Sequence, residues 1–285
     1  LMGFKKILVG FAFSPNLKAN IFEAIRMTSL FNGELMFLHV GEKTKEKMAR
    51  FNELVNSNPI KIKKLSVHWK RGDAVSTLLN SCKEFKADLI VLGALKRENV
   101  LKFYMGSIAR KITRKAKCSV LLLINPSIEI RSCNHIVVNG FDSPKTGKTI
   151  EMAFKVAKAF STKKITLVEE ISKSKIAVNI DDDQSLRRAT LKKQKLSRQE
   201  NIRVADFVKG MPINLTKNLN WVTQSIFGRR GYSIGHYAKV VRADLLVMNA
   251  EKNLSFFDRL FPHDIEHILA ELPTDVLIVN QIDYE

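Results

Sequence analysis

The chain of 285 residues carries 47 Lys and Arg against 28 Asp and Glu, a net charge of +19, with 45% hydrophobic residues. That length holds about two domains, and the apolar content excludes a disordered chain. No apolar run approaches the ~18 residues of a membrane-spanning helix, LMGFKKILVG opens straight into a strand without signal-peptide architecture, and three cysteines without metal-ligand spacing point to reduced thiols in a cytosol.

In chain order, KILVGFA predicts a first strand. A helix follows from a cap at Ser14 through Leu30, in which Ile21, Ala24, Ile25 and Thr28 recur at i, i+3, i+4, i+7. ELMFLHV is a second strand, followed by a helix over about 43–57. IKKLSVHWKRG is a third strand, leading into a helix over 74–85. ADLIVLG is a fourth, followed by a loop, a helix over 106–115 and a last strand, SVLLLIN. ILVGF, LIVLG and VLLLI are almost unbroken apolar runs, the mark of a parallel sheet covered on both faces. Right-handed crossovers then give a doubly wound α/β domain, whose ligands bind at the carboxyl ends of the strands.

The chain then repeats itself. Residues 6–40 align without a gap on 135–169 at an offset of 129, matching Ser14-Pro15 to Ser143-Pro144, Ala24 to Ala153 and Phe31 to Phe160. Residues 86–125 align on 242–281 at an offset of 156, matching Ala87-Asp88-Leu89 to Ala243-Asp244-Leu245 and Ile112 to Ile268. The second copy therefore holds 27 extra residues between about Glu169 and Trp221. Two domains are expected, 1–130 and 131–285, with a basic insertion over about 170–220. The first carries a net +13 and the second +6.

The second copy opens with HIVV followed by GFDSPKTGKT, which ends like a phosphate-binding P-loop. Counting back from Gly147 puts Asp142 where the first glycine belongs, adding a carboxylate beside a polyanion and a Cβ where the loop needs freedom. SPKTGKTIEMAF is instead the counterpart of SPNLKANIFEAI, the first β–α turn, with Ser143 as helix cap and Lys145 and Lys148 as solvated first-turn residues. In the insertion, Asp181, Asp182 and Asp183 suit a helix N-terminus, and a mobile loop is the alternative. Its basic run, Arg187, Arg188, Lys192, Lys193, Lys195 and Arg198, reads as a solvated helix face or as a contact for nucleic acid or anionic lipid. His263 and His267 stand at i, i+4 without further ligands, so no metal site is assigned. SFFDRLF, residues 255–261, is an aromatic cluster expected to pack between domains.

The motifs ILVGFAFSP, LMFLHV, KRGDAVSTLLNSCKEFKADLIVLGA and MGSIARKITRKAKCSVLLLI resemble the universal stress proteins in their tandem two-domain form. The resemblance covers nearly the whole chain apart from the insertion. It implies two five-stranded parallel sheets in order 3-2-1-4-5, packed as an internal pseudo-dimer. SVLLLIN and DVLIVNQ are the expected contact edges, since an apolar edge strand needs covering. It also implies a stress-response role without robust enzymatic activity. ATP-binding members carry Gly-x2-Gly-x9-Gly-Ser/Thr after the fourth strand. Matched position by position, the first copy offers Gly93, Lys96 in place of the second glycine, then Gly106-Ser107. Gly106 and Ser107 open a helix whose free N–H groups and dipole suit a phosphate.

The nucleotide site implied in the first copy comprises Gly10, Ala12, Val40, Gly93, Lys96, Arg97, Gly106, Ser107 and Ile108. Two positions depart from the family: Lys96, and Ala12, where an aspartate usually meets the adenine side. Arg110, Lys111, Arg114, Lys115 and Lys117 on the following helix form a basic ridge or a solubilising surface. The second copy has Asn249, Lys252 and Pro262-His263 at the motif positions, and no ATP site is expected there.

The expectation is a cytoplasmic stress adaptor that holds ATP or another nucleotide or anion in its first domain, with Mg²⁺ only alongside ATP, and no catalytic residue. Its expected partners are its own second domain, a second copy as homodimer, an anionic ligand and an unidentified protein. Alternatives are a polyanion-binding module and a slow ATP hydrolase.

Overall fold

A computed structural model describes residues 3–93, 95–96, 103–104, 106–176, 182–228, 233–249 and 274–280. Arg97, Asp181, Lys252, SFFDRLF, Pro262, His263 and His267 lie outside the described residues. Two compact units emerge: residues 3–132 with 274–280, and residues 133–249.

In the first unit, β1 (Lys6–Phe11), α1 (Leu17–Phe31), β2 (Glu34–Val40), α2 (Lys45–Asn56), β3 (Leu65–Lys70), α3 (Ala74–Phe85) and β4 (Leu89–Gly93) follow the expected alternation. The stretch after β4 holds a two-residue antiparallel ladder, β5 (Leu95–Lys96) against β6 (Phe103–Tyr104). Then come α4 (Ser107–Lys115) and β7 (Ser119–Leu123). The sheet runs β3-β2-β1-β4-β7, every pair parallel, which is the expected order 3-2-1-4-5. Ile7, Leu8, Leu89, Ile90, Val91 and Val120 are wholly buried, as a strand sandwiched between two helical layers must be. β3 at the edge is only half-buried.

The second unit contains β8 (His135–Asn139), α5 (Thr146–Ala159), β9 (Lys164–Ser172), α6 (Asp183–Lys209), α7 (Ile213–Thr216), β10 (Asn220–Gly228), α8 (Ser233–Val240) and β11 (Leu245–Asn249). Its strands run β10-β9-β8-β11, again all parallel. The strand that the repeat assigns to the second copy, β12 (Asp275–Val279), groups with the first unit. It pairs antiparallel with β7, Val276 against Leu122 and Ile278 against Val120. The edges of SVLLLIN and DVLIVNQ therefore meet, and Val276, Leu277 and Ile278 are buried at 2% exposure or less.

The repeated residues have repeated structural jobs. The Asp88 carboxylate accepts from the Lys5 and Lys6 backbone N–H groups at 2.6 and 3.0 Å, clamping the start of β1 to the start of β4. Asp244 does the same for Asn134 and His135 at 2.7 and 2.9 Å. Ser-Pro opens a turn in both copies: the Ser14 carbonyl accepts from Leu17 and the Ser143 carbonyl from Thr146, each at 3.0 Å. The helices therefore begin about three residues later than the expected serine caps, with Asn16 and Lys145 as N-cap residues. Proline suits the second position of such a turn, so the chain turns once before it coils.

The insertion is helical rather than a loop. Asp182 caps α6, its carboxylate accepting from Ser185 N at 2.7 Å while the Ser185 hydroxyl meets Asp182 N at 3.1 Å, a reciprocal capping box.

Candidate functional site

Gly106 is the N-cap of α4, and among the described residues no side chain caps that helix. The backbone N–H groups of its first turn are therefore open to an anion. Ser107 and Ile108 are exposed beside them, Ile108 at 45%. The cations lie largely at the other end: Arg114 and Lys115 occupy the last turn, where they complement the helix dipole.

Gly93 ends β4 against α1. A Cβ at Gly93 would stand 2.4 Å from the Asn20 amide nitrogen, so no larger residue fits there while Asn20 keeps its place. Asn20 Oδ1 is buried and has no hydrogen-bond partner among the described residues. A buried acceptor without a donor costs about 1–3 kcal/mol, and a ligand hydroxyl reaching the crevice would supply the donor. Gly10 has a different job. A Cβ there would come within 2.9 Å of Leu78 and 3.1 Å of Leu92, so this glycine lets α3 seat closely on β1.

The carboxyl ends of β1, β2 and β3 carry a ring cluster that motif reading did not single out. His39 and Trp69 are register partners, with ring centroids 5.0 Å apart. Phe13 stacks on Trp69 at 6.1 Å and meets His39 edge-on at 5.3 Å. Phe11 stacks on Phe51 of α2 at 4.3 Å, and its carbonyl lies 3.0 Å from His39 Nδ1. Ala12 is exposed beside this cluster and Val40 half-buried at the end of β2. Where the family resemblance puts a base-recognising carboxylate, this chain has aromatic surface. The arrangement fits a phosphate at α4 and a hydroxyl at Asn20, and it lacks the acid that would read an adenine edge. Lys96 lies in β5, paired with Phe103.

In the second unit the position matching Gly93 is filled from within. Asn249, the counterpart of Gly93, is wholly buried, and its amide donates to Thr146 Oγ1 at 3.1 Å, bridging the ends of β11 and α5. The Thr146 hydroxyl in turn donates to the Phe141 carbonyl. α6 then lies over the first β–α turn. A Cβ on Gly140 would be 3.1 Å from Val204, and one on Gly147 3.0 Å from Phe207. Arg203 donates to the Gly140 carbonyl at 2.6 Å, to Glu169 at 2.7 Å and to Glu200 at 2.8 Å. The GFDSPKTGKT turn is thus a docking seat for the insertion, with Lys148 exposed at its rim.

Glu169 and Glu170, in the carboxyl half of β9, are 4% and 5% exposed. Glu170 is engaged by the backbone N–H of Ile234, at 2.8 Å, near the start of α8. Burial pushes the Glu169 carboxyl up to about 8, outweighing the attraction of Arg203. Two adjacent acids closing the apolar run KITLV were the sequence signal for this site, because buried carboxylates need partners. Nothing in the sequence placed Arg203 or Asn20.

The family model described as Universal stress protein family matches residues 43–123. Among solved structures, a functionally unknown protein from Pseudomonas aeruginosa PAO1 is similar over 98% of this chain and 94% of its own, with a TM-score of 0.64 and 16% identity. A universal stress protein from Archaeoglobus fulgidus DSM 4304 is similar over 98% and 97%, with a TM-score of 0.63 and 14% identity. The cytoplasmic domain of a prokaryotic cation chloride cotransporter is similar over 99% and 97%, with a TM-score of 0.53 and 13% identity. At these identities the likeness is one of fold. No curated protein matches the chain.

Proposed function

We propose that this chain, whose residues 43–123 carry a universal stress protein domain, is a tandem protein of that type acting as a stress-response adaptor. Its first unit binds a phosphate-bearing ligand, ATP or another nucleotide, between Gly93 and the start of α4. The observation that carries this reading is the uncapped helix opening at Gly106-Ser107, on the same unit as the unpaired acceptor of Asn20 beside Gly93. The second unit is the structural half, since Asn249 and α6 occupy its corresponding crevice. Ligand identity is set by phosphate and hydroxyl contacts more than by the base, because Ala12 stands where a carboxylate would be.

The role inferred from this site is that of a binding protein. Among the described residues, no helix is long and apolar enough to cross a membrane, and no group of three His, Cys, Asp or Glu side chains converges as a metal site. Calorimetric titration of the full chain with ATP, ADP and inorganic phosphate tests the proposal. Saturable binding lost in Gly106→Trp and kept in Lys148→Ala is the expected result. Binding that survives Gly106→Trp, or is lost in Lys148→Ala, would move the site elsewhere. Phosphate release at turnover rates would make the protein a hydrolase. Heat release of any co-purifying ligand, followed by mass spectrometry, identifies the natural occupant.

A further inference from the structure

α6 has two unlike faces. Its inner face is seated in the second unit by Ala189, Val204 and Val208, each at 3% exposure or less, and by the Arg203 hydrogen bonds. Its outer face carries Arg187, Leu191, Lys195, Arg198 and Ile202, spaced i, i+4, i+8, i+11 and i+15. That spacing forms one straight stripe about 22 Å long at the α-helical rise. All five are exposed, Leu191 at 56% and Ile202 at 51%. Arg188 and Lys192 flank the stripe, Lys193 lies round the helix with its ammonium 5.9 Å from the Phe227 ring, and no acidic residue occurs between Asp183 and Glu200. Among the described residues, Arg187, Lys195 and Arg198 form no ion pair.

We propose that the outer stripe of α6 is a docking surface for an anionic lipid bilayer. The argument is the pairing of charge with apolar knobs. Cations held near an acidic leaflet each add to the attraction, while leucine and isoleucine on the same line enter the boundary between headgroups and acyl chains. A nucleic acid backbone would satisfy the cations but offer nothing to Leu191 and Ile202. The stripe also lacks an aromatic ring on which a base could stack. A helix fixed on its inner side by packing, and capped at Asp182, presents this line already ordered, so little conformational entropy is lost on contact.

The test is flotation of the full chain with vesicles of phosphatidylcholine alone, and of phosphatidylcholine mixed with an equal part of phosphatidylglycerol. Binding is expected on the acidic vesicles only and weakens with added salt. Arg187→Gln, Lys195→Gln and Arg198→Gln together should lower the affinity on the order of a hundredfold, roughly fivefold per cation. Leu191→Ser with Ile202→Ser should lower it roughly tenfold and leave a remainder that salt removes. All five positions face solvent, and circular dichroism of each variant checks that the fold is kept. Failure to bind acidic vesicles, or binding unchanged by the three glutamines, overturns the proposal. So does duplex or single-stranded DNA bound more tightly than vesicles and indifferent to the Leu191 and Ile202 changes, which would assign the stripe to nucleic acid.

Discussion

Replacing Glu169 by Gln removes a titrating group and keeps an oxygen that can accept from Arg203. In the folded protein the carboxyl stays protonated up to about 8, against an ordinary value of 4.5 for the exposed side chain. Between those values the folded state holds one more proton than the unfolded one. Stability from this group is therefore complete below the ordinary value and is lost as pH rises through about 8. The slope is about 1.4 kcal/mol per pH unit, so stability should fall by about 2–3 kcal/mol between about pH 5.5 and 7.5. Glu169→Gln should abolish that slope and be the more stable form at neutral pH. The chain has two tryptophans. Trp69→Phe leaves Trp221, on β10 beside β9, to report the second unit alone. Urea titrations followed by Trp221 fluorescence across this pH range measure the difference. Parallel pH profiles for the parent and Glu169→Gln would refute the assignment of a buried, neutral carboxyl.

Gly93→Ala should cost about 1–3 kcal/mol by overpacking against Asn20 and abolish ligand binding. Asn20→Ala in the same chain should restore the stability, read by thermal melting with Trp69 as the probe. Phe51 is the one wholly buried residue of α2 and stacks on Phe11. Phe51→Ala should therefore lose about 3–5 kcal/mol and expose β1 to faster amide exchange. Asp88→Ala and Asp244→Ala each strip acceptors from two backbone N–H groups. Each should cost about 1–3 kcal/mol in its own unit, a parity that denaturant titration on Trp69 and Trp221 can check.

The parallel, doubly covered sheet was legible in ILVGF, LIVLG and VLLLI, because strands buried on both faces leave no polar alternation. The duplication was legible too, since Ser-Pro turns and Ala-Asp-Leu clamps are local devices that each copy needs. Strand order came with the family resemblance. The helix starts were misplaced because Ser-Pro signals a turn as readily as a cap. At the proposed site, Gly93 and Gly106-Ser107 came with the family motif. Asn20 was not, because its contact with Gly93 depends on how α1 lies across β4. Gly10 has a packing role that the motif did not reveal: its missing Cβ lets Leu78 and Leu92 approach closely. The capped start of α6 could be read from Asp182, but its seat on Gly140 and Gly147 could not, since nothing local to either segment records the other.

Strand β12 has a practical bearing on dissection of the protein. It arrives from the far end of the sequence to close the flank of β7, and the Asp275 carboxylate takes hydrogen bonds from the Ile124 and Asn125 backbone N–H groups at 2.7 and 3.3 Å. A fragment cut after Ser132 would leave Ser119–Leu123 as a bare hydrophobic margin with its ladder groups unmet, the condition that invites strands of neighbouring molecules to add on. Excising the first half for binding studies should therefore yield clumping fragments unless the DVLIV segment is grafted back.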